Sequence, residues 1–176
     1  MADRDVEART DRASLARGVR RTLDNSFIRP AKGNPMQVQR PDTVKNPPEW
    51  FTGDVWLDPI AAPSAPGQQA NAGLVRFAPG ARTAWHSHPG GQTLHVLEGI
   101  ARIQSRGSAA VEVPAGQTVI CPPDEEHWHG AAPGSFMTHL AIWDTLPGQP
   151  SAVWGDHVTD AEYDARGNGG ATHEQE

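Results

Sequence analysis

Histidines are concentrated in three short stretches of this 176-residue chain, and their spacing is typical of a metal site. His86 and His88 stand two residues apart, as do His127 and His129, while His139 follows separately. Residues two apart on a β-strand face the same side, so each pair would present two imidazoles together. Two imidazoles on one face suit a borderline transition metal ion. The pattern therefore predicts a metal-binding cavity.

A glutamine follows the first histidine pair after a Pro-Gly-Gly turn. On the strand predicted next, Gln92 shares a face with Leu94 and Val96, whereas His95 lies on the opposite face. Gln92 therefore points toward the first histidine pair if that pair faces inward. Its amide could bind a metal directly, or it could hydrogen-bond a neighbouring ligand, since amides are weaker ligands than carboxylates.

The strands that would position these residues begin near Trp50. Short runs rich in β-branched and aromatic residues alternate with Gly/Pro turns at intervals of about 8 to 12 residues, which predicts an antiparallel sandwich or barrel. The segment around Glu98–Gly99 is typical of a tight hairpin, and His139 shares a strand face with Met137 and Ala141. A barrel would gather the histidines into one cavity, because its inward positions converge.

Changes in composition divide the chain into three parts. Residues 1–35 are highly charged and are predicted to form an extended arm, either partly disordered or a short helix. Residues 36–165 would form the barrel domain, and Thr159 with Glu162 is a capping-box signature that predicts a short helix near its end. Residues 166–176 are Gly-rich and polar, and we expect a disordered tail.

Composition narrows the classes of function. The formal charge is −6, and no dense basic cluster lies beside aromatic residues, which argues against a nucleic-acid partner. Cys121 is the single cysteine, which fits a reducing cytosol. The first 30 residues lack an apolar signal region, and no stretch approaches the roughly 20 apolar residues of a membrane span. We expect a cytoplasmic protein that acts on a small molecule, with no nucleic-acid or membrane partner.

The motif spacing resembles that of the cupin family. The first cupin motif is similar to the series Gly80, His86, His88, Gln92 and Gly99, with glutamine where the family commonly has glutamate. The second motif is matched less completely, at Pro114, Gly116, Pro122, Pro123 and His127. The stretches "FAPGARTAWHSHPGGQTL", "HWHGAAP" and "MTHLAIW" resemble a narrower subgroup of small bacterial cupins that includes manganese-dependent hydroxynitrile lyases.

This resemblance implies a fold and a site. The fold would be an all-β cupin (a double-stranded β-helix, or jelly-roll barrel) with an extended N-terminal arm and a short C-terminal helix. One divalent metal would bind each chain, with Mn²⁺ favoured and Fe²⁺, Ni²⁺ and Zn²⁺ as alternatives. The implied assembly is a homodimer or homotetramer. The implied metal ligands are His86, His88, Gln92 and His127, and the implied catalytic residues are His129 and His139.

The predicted activity is that of a metal-dependent lyase that cleaves and forms small, aromatic cyanohydrins. The metal would act as a Lewis acid and a pocket histidine as the base, and a neutral glutamine would leave the metal charge undiminished. Trp85, Trp128 and Trp143 could line a pocket for an aromatic substrate, although core packing explains them equally well. The alternatives are an Fe²⁺-dependent dioxygenase, a decarboxylase or isomerase of a ring-cleavage product, and a metabolite-binding cupin without catalysis.

Overall fold

The computed structural model describes residue 38 and residues 42–165, so the predicted arm 1–35 and the predicted tail 166–176 lie outside the described residues. The described part is rich in strands and contains one short helix near its end. The elements are β1 (Val44–Lys45), β2 (Phe51–Thr52), β3 (Val55–Ala61), β4 (Ala70–Phe77), β5 (Arg82–Thr83), β6 (His86–Ser87), β7 (Gln92–Ser105), β8 (Val111–Pro114), β9 (Thr118–Cys121), β10 (His127–Ala131), β11 (Met137–Asp144), β12 (Val153–Trp154) and α1 (Asp160–Asp164).

Two antiparallel sheets share the long strand β7. The first sheet has the order β1-β3-β4-β11-β7-β9, and the second has the order β2-β5-β10-β7-β8. The short strand β6 pairs with β10 on one side and with β12 on the other. This arrangement confirms the prediction of an all-β barrel. It also places β6, β10 and the end of β7 side by side.

Strand β7 passes through the point where the sequence predicted a hairpin, so that prediction is wrong. The first half of the strand pairs with β11 and β9, and the second half pairs with β10 and β8. Gly99 lies at this transition with a φ of 73°, a conformation that side chains with a Cβ rarely adopt. A Cβ at this position would also overlap the carbonyl oxygen of Phe136. The glycine therefore lets one continuous strand change sheets instead of reversing direction.

The main core lies between the inward faces of the two sheets. Alternate residues of β7 are buried there, including Leu94 and Val96, and they meet Val75 and Phe77 from β4 and Met137 from β11. In the first half of β7 the intervening residues are partly or largely exposed, whereas the second half buries Ala101, Arg102 and Ile103 in succession. The period-two pattern in the sequence therefore identified the buried face of the first half of this strand correctly.

A second, smaller apolar cluster lies beside helix α1. The helix begins with the predicted capping box, in which Thr159 Oγ1 accepts from the Glu162 amide and the Glu162 carboxylate accepts from the Thr159 amide. The Tyr163 ring is buried against the guanidinium groups of Arg82 and Arg102, at 4.7 and 5.4 Å. These contacts fix the C-terminal segment to the barrel. Within the described part of the chain, no helix has the length and apolarity needed to cross a membrane.

Candidate functional site

The six predicted site residues converge on one end of the barrel interior. All of them are buried, with exposures between 0 and 7%. They come from neighbouring strands or, in one case, from the residue directly after a strand. His86 begins β6, His88 follows β6, Gln92 begins β7, His127 and His129 lie on β10, and His139 lies on β11. Inward positions of a barrel meet in this way even when they are far apart in sequence.

Backbone carbonyls fix the tautomers of the three histidines predicted to bind metal. A carbonyl oxygen only accepts, so each Nδ1 that contacts one must carry the proton. The Nε2 lone pair of each ring is then left for another partner, which is the usual arrangement of metal-binding histidines. The contacts are His86 Nδ1 to Ala84 O at 3.0 Å, His88 Nδ1 to Ser151 O at 2.7 Å, and His127 Nδ1 to Glu125 O at 2.8 Å.

Gln92 lies directly against this donor set. Its Oε1 is 2.9 Å from Nε2 of His127. As placed, both atoms are acceptors, because the His127 proton is on Nδ1, and a cation between them would relieve the repulsion. Two ligands at right angles around an ion bound at about 2.1 Å lie about 3 Å apart. The donor set therefore fits a divalent metal.

The histidine rings do not all stand equally close. Among the described residues, one ring nitrogen from each of His86, His127 and His129 lies within 4.8 Å of the other two, which is close enough to hold one metal ion. By ring centres, His88 lies 5.3 Å from His86 and 6.2 Å from His127, and His129 lies at nearly the same distances, 5.1 and 6.0 Å. The structure thus brings together the four predicted ligands, and it also places His129, which the resemblance implied as catalytic, within ligand distance of His86 and His127.

His129 and His139 form a buried pair behind this cluster. His139 Nε2 and His129 Nδ1 are 3.2 Å apart, and the rings meet edge to face. Among the described residues, His129 Nε2 and His139 Nδ1 have no hydrogen-bond partner. The His129 amide donates to Thr83 Oγ1, which anchors the strand at this point. The two histidines therefore form a linked pair with one free ring nitrogen at each end.

Burial holds all of these imidazoles in the neutral form. Desolvation lowers the pKa of His139 to about 3 and the pKa of His88 to about 4. Desolvation, and then the neighbouring histidines, also place the pKa values of His86 and His129 well below the ordinary value. Desolvation likewise lowers the pKa of His127. Neutral imidazole is the form that binds metal and accepts protons.

A cavity of about 510 Å³ opens onto the histidines. Its walls are mainly apolar, with no carboxylate among the described residues that line it. Of the tryptophans considered from the sequence, Trp143 lines this cavity, whereas Trp85 and Trp128 pack in the cluster beside α1. Trp50 and Trp154 complete the aromatic wall. Sequence reasoning missed these two because neither lies near one of the six predicted site residues in the chain; the only available signal was their position just before and just after the strand-rich region.

Comparison with known proteins agrees with this geometry. A family model described as "Cupin domain" matches residues 73–143. A protein named (R)-mandelonitrile lyase from Granulicella tundricola is 50% identical over 119 residues, which cover 68% of this chain and 89% of that protein. The chain belongs to the cupin family.

Solved structures extend the cupin comparison. A cupin-like protein from Thermotoga maritima is 38% identical, covers 73% of this chain and 95% of its own, and superposes with a TM-score of 0.66. The polyketide cyclase RemF from Streptomyces resistomycificus is 18% identical over 73% of this chain and 89% of its own, with a TM-score of 0.57. The second similarity concerns the fold alone. Together they confirm the cupin fold expected from the sequence.

Proposed function

We propose that this cupin is a metal-dependent lyase that cleaves and forms small, aromatic cyanohydrins. The observation that carries the proposal is the set of neutral donors next to a buried, neutral histidine pair, in an apolar cavity of about 510 Å³. The 50% identity to a protein named (R)-mandelonitrile lyase supports the same reaction class. An aromatic cyanohydrin needs both an apolar pocket and a proton acceptor, and this cavity offers both.

The metal would be held by His86, His88, Gln92 and His127, with Mn²⁺ as the proposed ion. When bound, it supplies Lewis acidity for an oxygen atom, and four neutral ligands leave its charge of 2+ undiminished. The backbone carbonyls that hold the histidine Nδ1 atoms keep the Nε2 atoms oriented without any loaded ion. The chain therefore prepares the donor atoms through hydrogen bonds formed on folding.

The histidine pair supplies the base. When His129 donates from Nδ1 to His139, its Nε2 carries a lone pair that can take the substrate hydroxyl proton. The electrons of the O–H bond then form the carbonyl, the C–C bond breaks, and its electron pair leaves with cyanide. Cyanide takes the proton back from the imidazolium and departs as HCN. In synthesis, the same neutral nitrogen removes the proton from HCN.

Three substitutions separate metal binding from proton transfer. His127→Ala should lose metal and activity together, whereas His139→Gln should keep its metal and lose mandelonitrile turnover on the order of 10²-fold or more. His95→Gln is the matched control, because His95 lies on the outer face of β7 and contacts Thr118 Oγ1. Metal content is measured by elemental analysis and turnover by benzaldehyde release. Unchanged turnover in His139→Gln would show that the assigned base pair is wrong.

A further inference from the structure

The segment between β11 and α1 contributes directly to the cavity. Residues 151–154, here termed the strap, lie outside the part of the chain that matches the cupin family model. Ser151, Ala152 and Trp154 of the strap line the cavity. Its last two residues form β12, in which Trp154 pairs with His86 of β6. The strap therefore forms part of the wall beside the predicted metal ligands.

Trp154 is held rigidly at this wall. Its ring stacks on that of Trp50, with centres 5.1 Å apart and an interplanar angle of 4°. It also stacks on the His86 ring at 4.8 Å and 28°, and Phe51 packs against it at 5.6 Å. Aromatic rings locked in this way offer a large apolar surface with little conformational entropy left to lose on binding. Trp154 is thus a fixed surface directly beside His86.

Trp143 lies beside His88 much as Trp154 lies beside His86. Its ring centre lies 6.0 Å from that of His88. Its Nε1 donates to Ser151 Oγ at 2.6 Å, while the carbonyl of Ser151 accepts from His88 Nδ1. The strap therefore contacts His86 through the ring of Trp154, and it contacts both His88 and Trp143 through Ser151. Smaller aliphatic side chains, such as those of Leu57 and Val75, also line the cavity.

We propose that Trp154 is a specificity-determining residue that selects substrates carrying an aromatic ring over aliphatic ones of similar size. The inference rests on the proposed function in one respect: it takes the reacting carbon of the substrate to lie at the histidine cluster. The side group of such a substrate then passes beside His86 and His88, and so meets Trp154 or Trp143. A ring packed against an indole gains edge-to-face or offset-stacked contacts that an alkyl chain does not.

The test compares one aromatic and one aliphatic cyanohydrin. Mandelonitrile and 2-hydroxyhexanenitrile have similar size, and the ratio of their kcat/KM values measures the preference. Trp154→Leu should reduce this ratio about threefold to tenfold, as expected for the loss of one aromatic pair. Trp154→Phe should retain most of the preference. Val153→Ala is the matched control, because Val153 lies on the same strand with a largely exposed side chain.

A binding measurement separates this inference from the proposed reaction. Benzyl alcohol and 1-pentanol are titrated into the full chain and followed by ligand-observed NMR, which needs no turnover. The wild type should prefer benzyl alcohol, Trp154→Leu should lose that preference, and Trp154→Phe should keep it. An unchanged preference in Trp154→Leu would overturn the inference, whatever the enzyme catalyses. A preference that depends on Trp154 in a protein without cyanohydrin turnover would support the inference and refute the proposed function.

Discussion

The buried His139 should make the metal-free protein sensitive to mild acid, by an amount that the structure allows us to work out. Burial lowers the pKa of this imidazole to about 3, whereas in the unfolded chain it lies near 6.5. As the pH falls through 6.5, this imidazole is protonated in the unfolded state but stays neutral in the folded state. The free energy of unfolding therefore decreases. This one residue lowers the free energy of unfolding by about 2 kcal/mol at pH 5.0 and by close to zero at pH 7.5.

The assay is urea unfolding at pH 7.5 and pH 5.0 with chelator present, since bound metal would add its own pH dependence. Wild type and His139→Gln are compared, and the loss of stability between the two pH values should be about 2 kcal/mol smaller in the variant. The remaining loss belongs to the other buried histidines, whose pKa values are also lowered. An equal loss in both proteins would mean that His139 titrates normally in the folded state, and would refute the reasoning.

Three further predictions concern the strand transition, the ligand set and the C-terminal helix. Gly99→Ala should lower the free energy of unfolding by roughly 3 kcal/mol in urea, because the new Cβ meets both a positive φ and a backbone overlap. Gly116→Ala is the control: it also has a positive φ but open space around it, and should cost only about 1–2 kcal/mol. Equal losses in the two variants would show that the overlap at Gly99 has no effect. Gln92→Glu should raise metal affinity in calorimetric titration and lower mandelonitrile turnover on the order of tenfold, because a charged ligand weakens the Lewis acid; higher turnover would refute this account of the glutamine. Tyr163→Phe should lose about 1–3 kcal/mol of stability, because the hydroxyl donates to the buried carbonyl of Ala131, and a neutral result would show that water replaces the bond.

Local patterns in the sequence predicted those parts of the fold that depend on near neighbours. Period-two alternation identified the buried face of the first half of β7, including Gln92 and Leu94, and the capping box at Thr159 and Glu162 identified the start of α1. Both signals are local, because side-chain parity and helix capping involve residues a few positions apart.

Features that depend on distant contacts were missed. The hairpin predicted at Glu98–Gly99 is a sheet transition, and recognising it requires the partner strands β8 to β11 on either side. Trp50 and Trp154 meet in space although about a hundred residues separate them in the chain, so no local pattern marks them as one wall. The four proposed metal ligands and the two proposed catalytic histidines do converge, while the metal itself and its reaction stay predictions.

The most direct test of the account is a single reaction mixture that contains Mn²⁺-loaded wild-type protein, mandelonitrile and an oxygen electrode. Benzaldehyde release and dissolved oxygen are followed together, before and after a chelator is added. The account predicts benzaldehyde release above the uncatalysed rate, its loss on chelation, and no consumption of oxygen. Benzaldehyde release at only the uncatalysed rate, together with oxygen consumption when another substrate is offered, would contradict the account. That result would favour oxidative chemistry at the same histidines.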